Sequence, residues 1–384
     1  MQDVTLGEGA AEVVGAAYLA GGVAPRRLPR ESEPLLDMMT MMASQSPSGV
    51  RVVLQTDSPV VELDMTPTVL VMAAIGRTDT SAPVDLVLDG RLVSTQRQEG
   101  GHRIVIGPGG PPDVEFHEGG PVCFRFDDLG SHNKTVELWL PTAGSVTIGS
   151  LRVADGATVA TAADRRPRWV HYGSSISQCG EAHSPGRAWP ALVAHQSDLH
   201  LHSLGLGGSC HLDQYVARHI RDLPADVITM KVGINIMNRA SLNRRTFVPN
   251  MYGFLDTVRD GHPEVPIVLA SPIFSPSAEE RPGPTVVAAN GRFEATGNPE
   301  DESALTLTDM RTLLAEVVEL RHQQGDRHLH YLDGLELFGP EDQHLLPDGL
   351  HPDGDGYELI GERFAALVFG SAGLVGPALQ GSGL

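Results

Sequence analysis

From residue 50 to about 153 the apolar positions recur at every second residue. Val50, Val52 and Leu54 alternate with Arg51 and Gln55, and Val61, Leu63 and Met65 alternate with Glu62 and Asp64. Val84, Leu86 and Leu88 run into Asp89-Gly90, a two-residue hairpin signal. Val122, Phe124 and Phe126 follow, then Val136, Leu138 and Leu140. Short alternating strands broken by Gly and Pro turns, with no helical stretch among them, predict an all-β antiparallel sandwich of the jelly-roll kind. Ahead of it, residues 35–42 are Met-rich, read as helical, and are expected to fill core space.

After Val153 the chain passes through a small, polar, aperiodic stretch, and the period then changes. Apolar strands are predicted at 168–172, 199–204, 227–232, 267–270 and 328–332. Helical patterns lie between and after them, at 188–195, 212–223, 247–258, 310–320 and 357–368. Strands alternating with helices predict a five-stranded parallel sheet in an α/β/α sandwich of flavodoxin-like type. The expected division is therefore 1–165 for the N-terminal segment and β-sandwich, and 166–384 for the α/β domain.

Composition narrows the function. The 384 residues carry 48 acidic against 28 basic side chains, a formal net charge of −20. Such a chain repels phosphate backbones and anionic lipid, so nucleic acid and membrane surfaces are not expected partners, and no apolar run is long enough to span a bilayer. Only Lys134 and Lys231 are lysines, which reads as GC-rich codon usage rather than a functional device. Cys123, Cys179 and Cys210 are too few for a disulfide framework and lack CxxC spacing. The N-terminus has Asp3 and no positive segment before its weakly apolar run, so a cytoplasmic protein is expected. Oligomeric state is not legible.

In a parallel sheet, ligands bind beyond the carboxyl ends of the strands. Here those ends read Gly173-Ser174-Ser175-Ile176-Ser177, Gly205-Leu206-Gly207-Gly208-Ser209 and Gly233-Ile234-Asn235-Ile236. Asp348-Gly349-Leu350-His351-Pro352 precedes the final helix. A serine, a backbone amide at glycine, a side-chain amide and an Asp/His pair are the parts that serine-based acyl transfer requires.

This set resembles the SGNH hydrolases, the GDSL-type esterases, whose four blocks supply Ser, Gly, Asn and His in this chain order. The resemblance spans roughly 167–370 and implies the same five-stranded fold. It assigns Ser175 as nucleophile, His351 as base, Asp348 in the DxxH motif as base-orienter, and Ser175, Gly208 and Asn235 as oxyanion donors. Two positions depart from the family pattern. Gly-Asp-Ser is here Gly173-Ser174-Ser175, and the acid often following the Asn is Ile236. Neither missing acid is a reacting group, but both mark a divergent branch. The N-terminal half is similar to the β-sandwich preceding the hydrolase domain in two-domain carbohydrate acetylesterases. The resemblance implies a serine esterase acting on a small acyl ester, an acetyl group on a sugar or natural-product scaffold. An acyltransferase or thioesterase using the same residues is the near alternative, and a carbohydrate-binding protein with an inactive hydrolase domain the distant one.

Competing readings attach to several residues. Ser174 and Ser177 suit hydrogen bonds within the turn, Asn235 suits a helix cap, and His344 is a second candidate base. Gly205-Leu206-Gly207 has Cys210 where a dinucleotide fingerprint needs its third glycine. His200 and His202 alternate without a third metal ligand nearby, and Asp353 and Asp355 fail calcium-loop spacing, leaving helix capping. Cys179 and Cys210 read as buried thiols and Trp189 as an anchor of the first helix. No metal or organic cofactor is implied.

Overall fold

The computed structural model describes residues 1–7, 9–73, 76–107 and 113–376. The chain forms two compact units, Met1–Arg165 with Ser184–Arg187, and Arg166–His183 with Ala188–Leu384.

The first unit is built from two sheets and a hairpin. One sheet contains β1 (Gln2–Val4), β6 (Val61–Met72), β9 (His102–Ile106), β10 (Val114–His117), β11 (Val122–Phe126) and β13 (Ser145–Val153). The other contains β2 (Glu12–Val14), β5 (Arg51–Thr56), β7 (Ser81–Leu88), β8 (Arg91–Glu99), β12 (Lys134–Trp139) and β14 (Val159–Ala160). β3 (Tyr18–Ala20) and β4 (Ala24–Arg26) pair with each other. The alternating residues do what their period requires: Val52, Leu54, Leu63, Met65, Val84, Leu86, Phe124, Phe126, Val136 and Leu138 form one buried cluster drawn from both sheets. Asp89 and Gly90 have φ of 46° and 79°, the positive pair of a type I′ turn, and β7 and β8 close on them as a hairpin.

Two expectations need correcting. The sheets are not antiparallel throughout, because β6 and β9 run parallel. A 3-10 turn, Arg30–Leu35, ends where the Met-rich segment begins, and the segment is helical from Met38, as the first part of a helix α1 (Met38–Gln45). Thr40, Ala43 and Ser44 are its buried face, while Met38 is 66% exposed, so the methionines do not simply fill the core.

The second unit holds the five expected parallel strands: β15 (Arg168–Gly173), β16 (His200–Gly205), β17 (Val227–Lys231), β18 (Ile267–Ala270) and β21 (Leu329–Leu332). Their order is β16-β15-β17-β18-β21. The central strands β17 and β18 are buried at every residue, as a sheet covered on both faces demands. Helices α3 (Trp189–Gln196) and α9 (Gly354–Phe364) pack together, and α6 (Arg244–Gly261) packs with α4 (Gln214–Asp222) and α7 (Leu307–Gln323). Three one- or two-turn helices, α2 (Ser175–Gln178), α5 (Ile234–Arg239) and α8 (Gly334–Leu337), start just beyond strand ends. A small hairpin, β19 (Thr285–Val287) and β20 (Phe293–Ala295), follows β18. The first strand in chain order, β15, is flanked on opposite sides by the second and third, so chain direction across the sheet reverses there. That reversal is where an open α/β sheet leaves a crevice at its carboxyl edge. Among the described residues no helix is long and apolar enough to cross a membrane.

Candidate active site

The register of the sheet puts the candidate residues at one edge. Gly173, at the end of β15, lies opposite Gly205 of β16 and Lys231 of β17. Ser175, Gly208 and Asn235 follow these three within a few residues. Gly205 lets the turns meet, since a Cβ there would stand 2.5 Å from the Gln178 backbone nitrogen. Ser174 caps α2, its hydroxyl accepting from Ile176 N–H at 3.3 Å, and Ser175 is the first residue of that helix.

His351 arrives from the loop before α9, with its Nε2 2.9 Å from Ser175 Oγ. On the other side its Nδ1 lies 2.7 Å from Asp348 Oδ2. The second carboxylate oxygen accepts from the backbone N–H groups of His351 at 2.7 Å and Leu350 at 2.9 Å. Burial pushes the Asp348 carboxyl up, but the His351 hydrogen bond and charge and these backbone donors together hold it below its ordinary value. An ionised carboxylate can only accept, so Nδ1 carries the imidazole proton and Nε2 presents its lone pair to the serine hydroxyl. Asp353 caps α9 through Gly356 N–H at 2.9 Å, fixing where the loop ends.

Asn235 does not cap its helix; Gly233 holds that position. Its Oδ1 accepts from Cys210 N–H at 3.0 Å, tying the loop after β16 to the one after β17. With the oxygen so engaged, the Nδ2 hydrogens are the part of the amide left to offer. Gly208 has φ of +70° and Gly233 of +118°, backbone shapes that a side chain disfavours.

Comparison with known proteins shows the family to which the chain is similar. Residues 167–279 match the GDSL-like lipase/acylhydrolase family. A salicylyl-acyltransferase, SsfX3, from a tetracycline biosynthetic pathway is 31% identical over 92% of each chain, with a TM-score of 0.75. The chain belongs to the GDSL-like lipase/acylhydrolase family. It is an enzyme of the esterase and acylhydrolase class. A GDSL-like protein from Bacteroides ovatus shares the fold at 19% identity, covering 92% of this chain and 93% of its own, TM-score 0.64. An acetyl xylan esterase from Butyrivibrio proteoclasticus shares it at 11% identity, covering 95% and 96%, TM-score 0.52. No curated protein sequence matches the chain.

The remaining candidates of this acylhydrolase fall elsewhere. His344 sits in a 3-10 turn with Nδ1 3.1 Å from the Glu341 carbonyl oxygen. Ser177 does not bond within the turn as its type suggests. Its Oγ lies 2.8 Å from His171 Nε2, whose Nδ1 lies 2.7 Å from Thr229 Oγ1. The Trp169 indole donates to the same threonine oxygen at 2.8 Å. Burial, assisted by the Lys231 charge and opposed by a backbone hydrogen bond at Thr229, brings His171 down to about 3, so it stays neutral. This buried link beneath α2 was not legible, because His171 sits inside an apolar strand run and bonds to a residue two positions past Ser175. Phe293 was missed as well. Its ring meets the His351 imidazole edge-on at 5.4 Å, and its N–H donates to the Asp348 carbonyl at 2.8 Å. Cys179 and Cys210 are buried free thiols. Trp189 is fully buried and donates to the Ile176 carbonyl at 2.8 Å.

Proposed function

We propose that this enzyme is a serine esterase that forms an acyl-enzyme on Ser175. One observation carries the reading: Ser175 Oγ, the His351 imidazole and the Asp348 carboxylate form an unbroken hydrogen-bonded chain, at 2.9 and 2.7 Å. In the first half-reaction Ser175 Oγ attacks the acyl carbonyl carbon while His351 Nε2 takes the hydroxyl proton. The tetrahedral oxyanion is received by the backbone N–H of Ser175 and Gly208 and by Asn235 Nδ2. Collapse expels the alcohol, which takes the proton back from His351. A second nucleophile, activated by the same imidazole, then releases the acyl group and restores Ser175. The substrate class we favour is a small acyl ester, such as an acetyl ester, of a sugar or natural-product scaffold. The fold shared with an acetyl xylan esterase supports it.

Acyl transfer to an alcohol is the second reading, supported by the 31% identity to a salicylyl-acyltransferase over nearly the whole chain. The two differ only in whether water or an alcohol enters the second half-reaction. A panel of acyl p-nitrophenyl esters and acetylated sugars, run with and without added alcohol, separates them by product. A serine-reactive phosphonate should label Ser175; turnover of no ester together with no labelling overturns both readings.

A further inference from the structure

The face of the Asp348–His351 loop turned toward the β19–β20 hairpin borders an open cleft of about 530 Å³. Phe293 and Gly349 belong to its wall, so the ring that packs edge-on against His351 is shared between cleft and imidazole. Arg281 and Arg292 line the same cleft, with Glu294 the acidic residue among its lining. In this acidic chain many arginines are already spent on carboxylates: Arg168 on Asp226, Arg244 on Asp309, Arg311 on Glu279. Among the described residues the two at the cleft are not. Arg292 donates to the Pro347 carbonyl at 3.1 Å, which leaves most of its donors unused, and Arg281 makes no hydrogen bond or ion pair among the described residues. Two arginines to one acid among its lining give the cleft a positive balance on a protein whose net charge of −20 otherwise repels anions.

We infer that this cleft recognises an anionic group, carboxylate or phosphate, on the alcohol portion of the substrate. With the acyl carbonyl at Ser175, the scaffold extends past Phe293 and its charged end meets Arg281 and Arg292. Guanidinium binds both oxyanions through paired N–H donors. The inference rests on the acyl-transfer reading of Ser175, and the test keeps the two apart.

Kinetics compare phenyl acetate with 4-acetoxybenzoate and 4-acetoxyphenyl phosphate, in wild type, Arg281→Gln and the control Arg218→Gln. Arg218 is exposed on α4, so its substitution makes the same change in net charge outside the cleft. The anionic-to-neutral ratio of kcat/KM should fall about tenfold in Arg281→Gln, mostly through KM, the size expected for a charge-assisted hydrogen bond. It should hold in Arg218→Gln, and the larger fall identifies carboxylate or phosphate as the preferred group. Saturation-transfer NMR with 4-hydroxybenzoate and 4-hydroxyphenyl phosphate reads binding without turnover, and the signal should weaken in Arg281→Gln alone. If no ester is turned over but this binding depends on Arg281, the acyl-transfer reading falls and the anion cleft stands. The inference is overturned if neither ratio nor binding responds to Arg281→Gln, or if Arg218→Gln responds equally.

Discussion

Asp348 holds His351 at two points: Oδ2 faces Nδ1 of the ring at 2.7 Å, and Oδ1 accepts the backbone N–H of the same residue, also at 2.7 Å. One carboxylate thus fixes both the position of the histidine in its loop and the tautomer of its ring. The two jobs can be separated by substitution. Asp348→Asn keeps an oxygen for the backbone donors but turns an NH2 toward Nδ1. The ring must then accept there and carry its proton on Nε2, where it can no longer take one from Ser175. The expected outcome is a loss of up to about 10⁴-fold in kcat with KM for a short acyl ester little changed, as in other triads. Near-wild-type kcat in steady-state assays would show that Ser175 and His351 work as a dyad.

Ser175→Ala and His351→Ala should be almost equally damaging, each on the order of 10⁶ in kcat, because nucleophile and base act as one unit. The double variant should be scarcely worse than either. His344→Ala should leave ester hydrolysis unchanged, since that ring is turned to the Glu341 carbonyl. Residual activity in His351→Ala that disappears on adding His344→Ala would move the base assignment.

The five strands of the α/β unit could be read because a parallel sheet buries both faces. Val268 and Leu269 therefore stand in an unbroken apolar run ended by small residues, and Ile228 and Met230 in a run ended by Gly233 and interrupted only by Thr229 and Lys231, which are themselves buried. Three of the four site blocks were legible for the related reason that each follows a strand end; the fourth, Asp348 to His351, follows no strand directly and was legible from its DxxH spacing ahead of the final helix. What escaped was held by other forces. The strands β1 to β4 are three residues each, too short for a period of two to register. β8 carries Arg91, Ser94, Gln96 and Arg97 on a largely exposed edge, where pairing with β7 rather than burial makes the strand. α5 is six residues long and its first four are all buried, so it shows no amphipathic face. Phe293 and His171 reach the site only through tertiary packing, from positions 58 and 180 residues before His351, by sequence numbering.

The neutral His171 beneath α2 makes stability depend on pH. Its folded value of about 3 lies below the ordinary 6.5, so between those two values the unfolded chain binds the extra proton. The stabilisation is therefore complete above about pH 6.5 and lost as pH falls toward 3, at up to about 1.4 kcal/mol per pH unit. Urea unfolding at pH 7 and pH 5 should show wild type losing roughly 2 kcal/mol more over that interval than His171→Gln. The variant itself should be less stable than wild type at pH 7, because Ser177 and Thr229 lose their ring partner. Equal losses in the two proteins would mean that His171 is protonated in the fold, and the buried link would need another description.

Asn235 tests the oxyanion assignment, because its two amide atoms have different work. The oxygen accepts from Cys210 N–H and joins two loops; the nitrogen is proposed to meet the developing oxyanion. Asn235→Ala removes both, so a loss of about 10²–10³ in kcat, the usual cost of one such donor, leaves the cause ambiguous. Asn235→Asp retains an acceptor for Cys210 of the same shape but puts negative charge where the donor stood. If the nitrogen stabilises the transition state, the aspartate variant is the slower enzyme, and raising pH does not recover it. If the side chain only ties the loops, the aspartate variant is the faster of the two and approaches wild type. Unfolding curves on both proteins supply the structural half: Asn235→Ala should be the less stable, since it leaves the Cys210 N–H, on a residue that is fully buried, without its acceptor. The order of activities thus runs opposite to the order of stabilities if Asn235 belongs to the oxyanion hole, and parallel to it if Asn235 is only a brace.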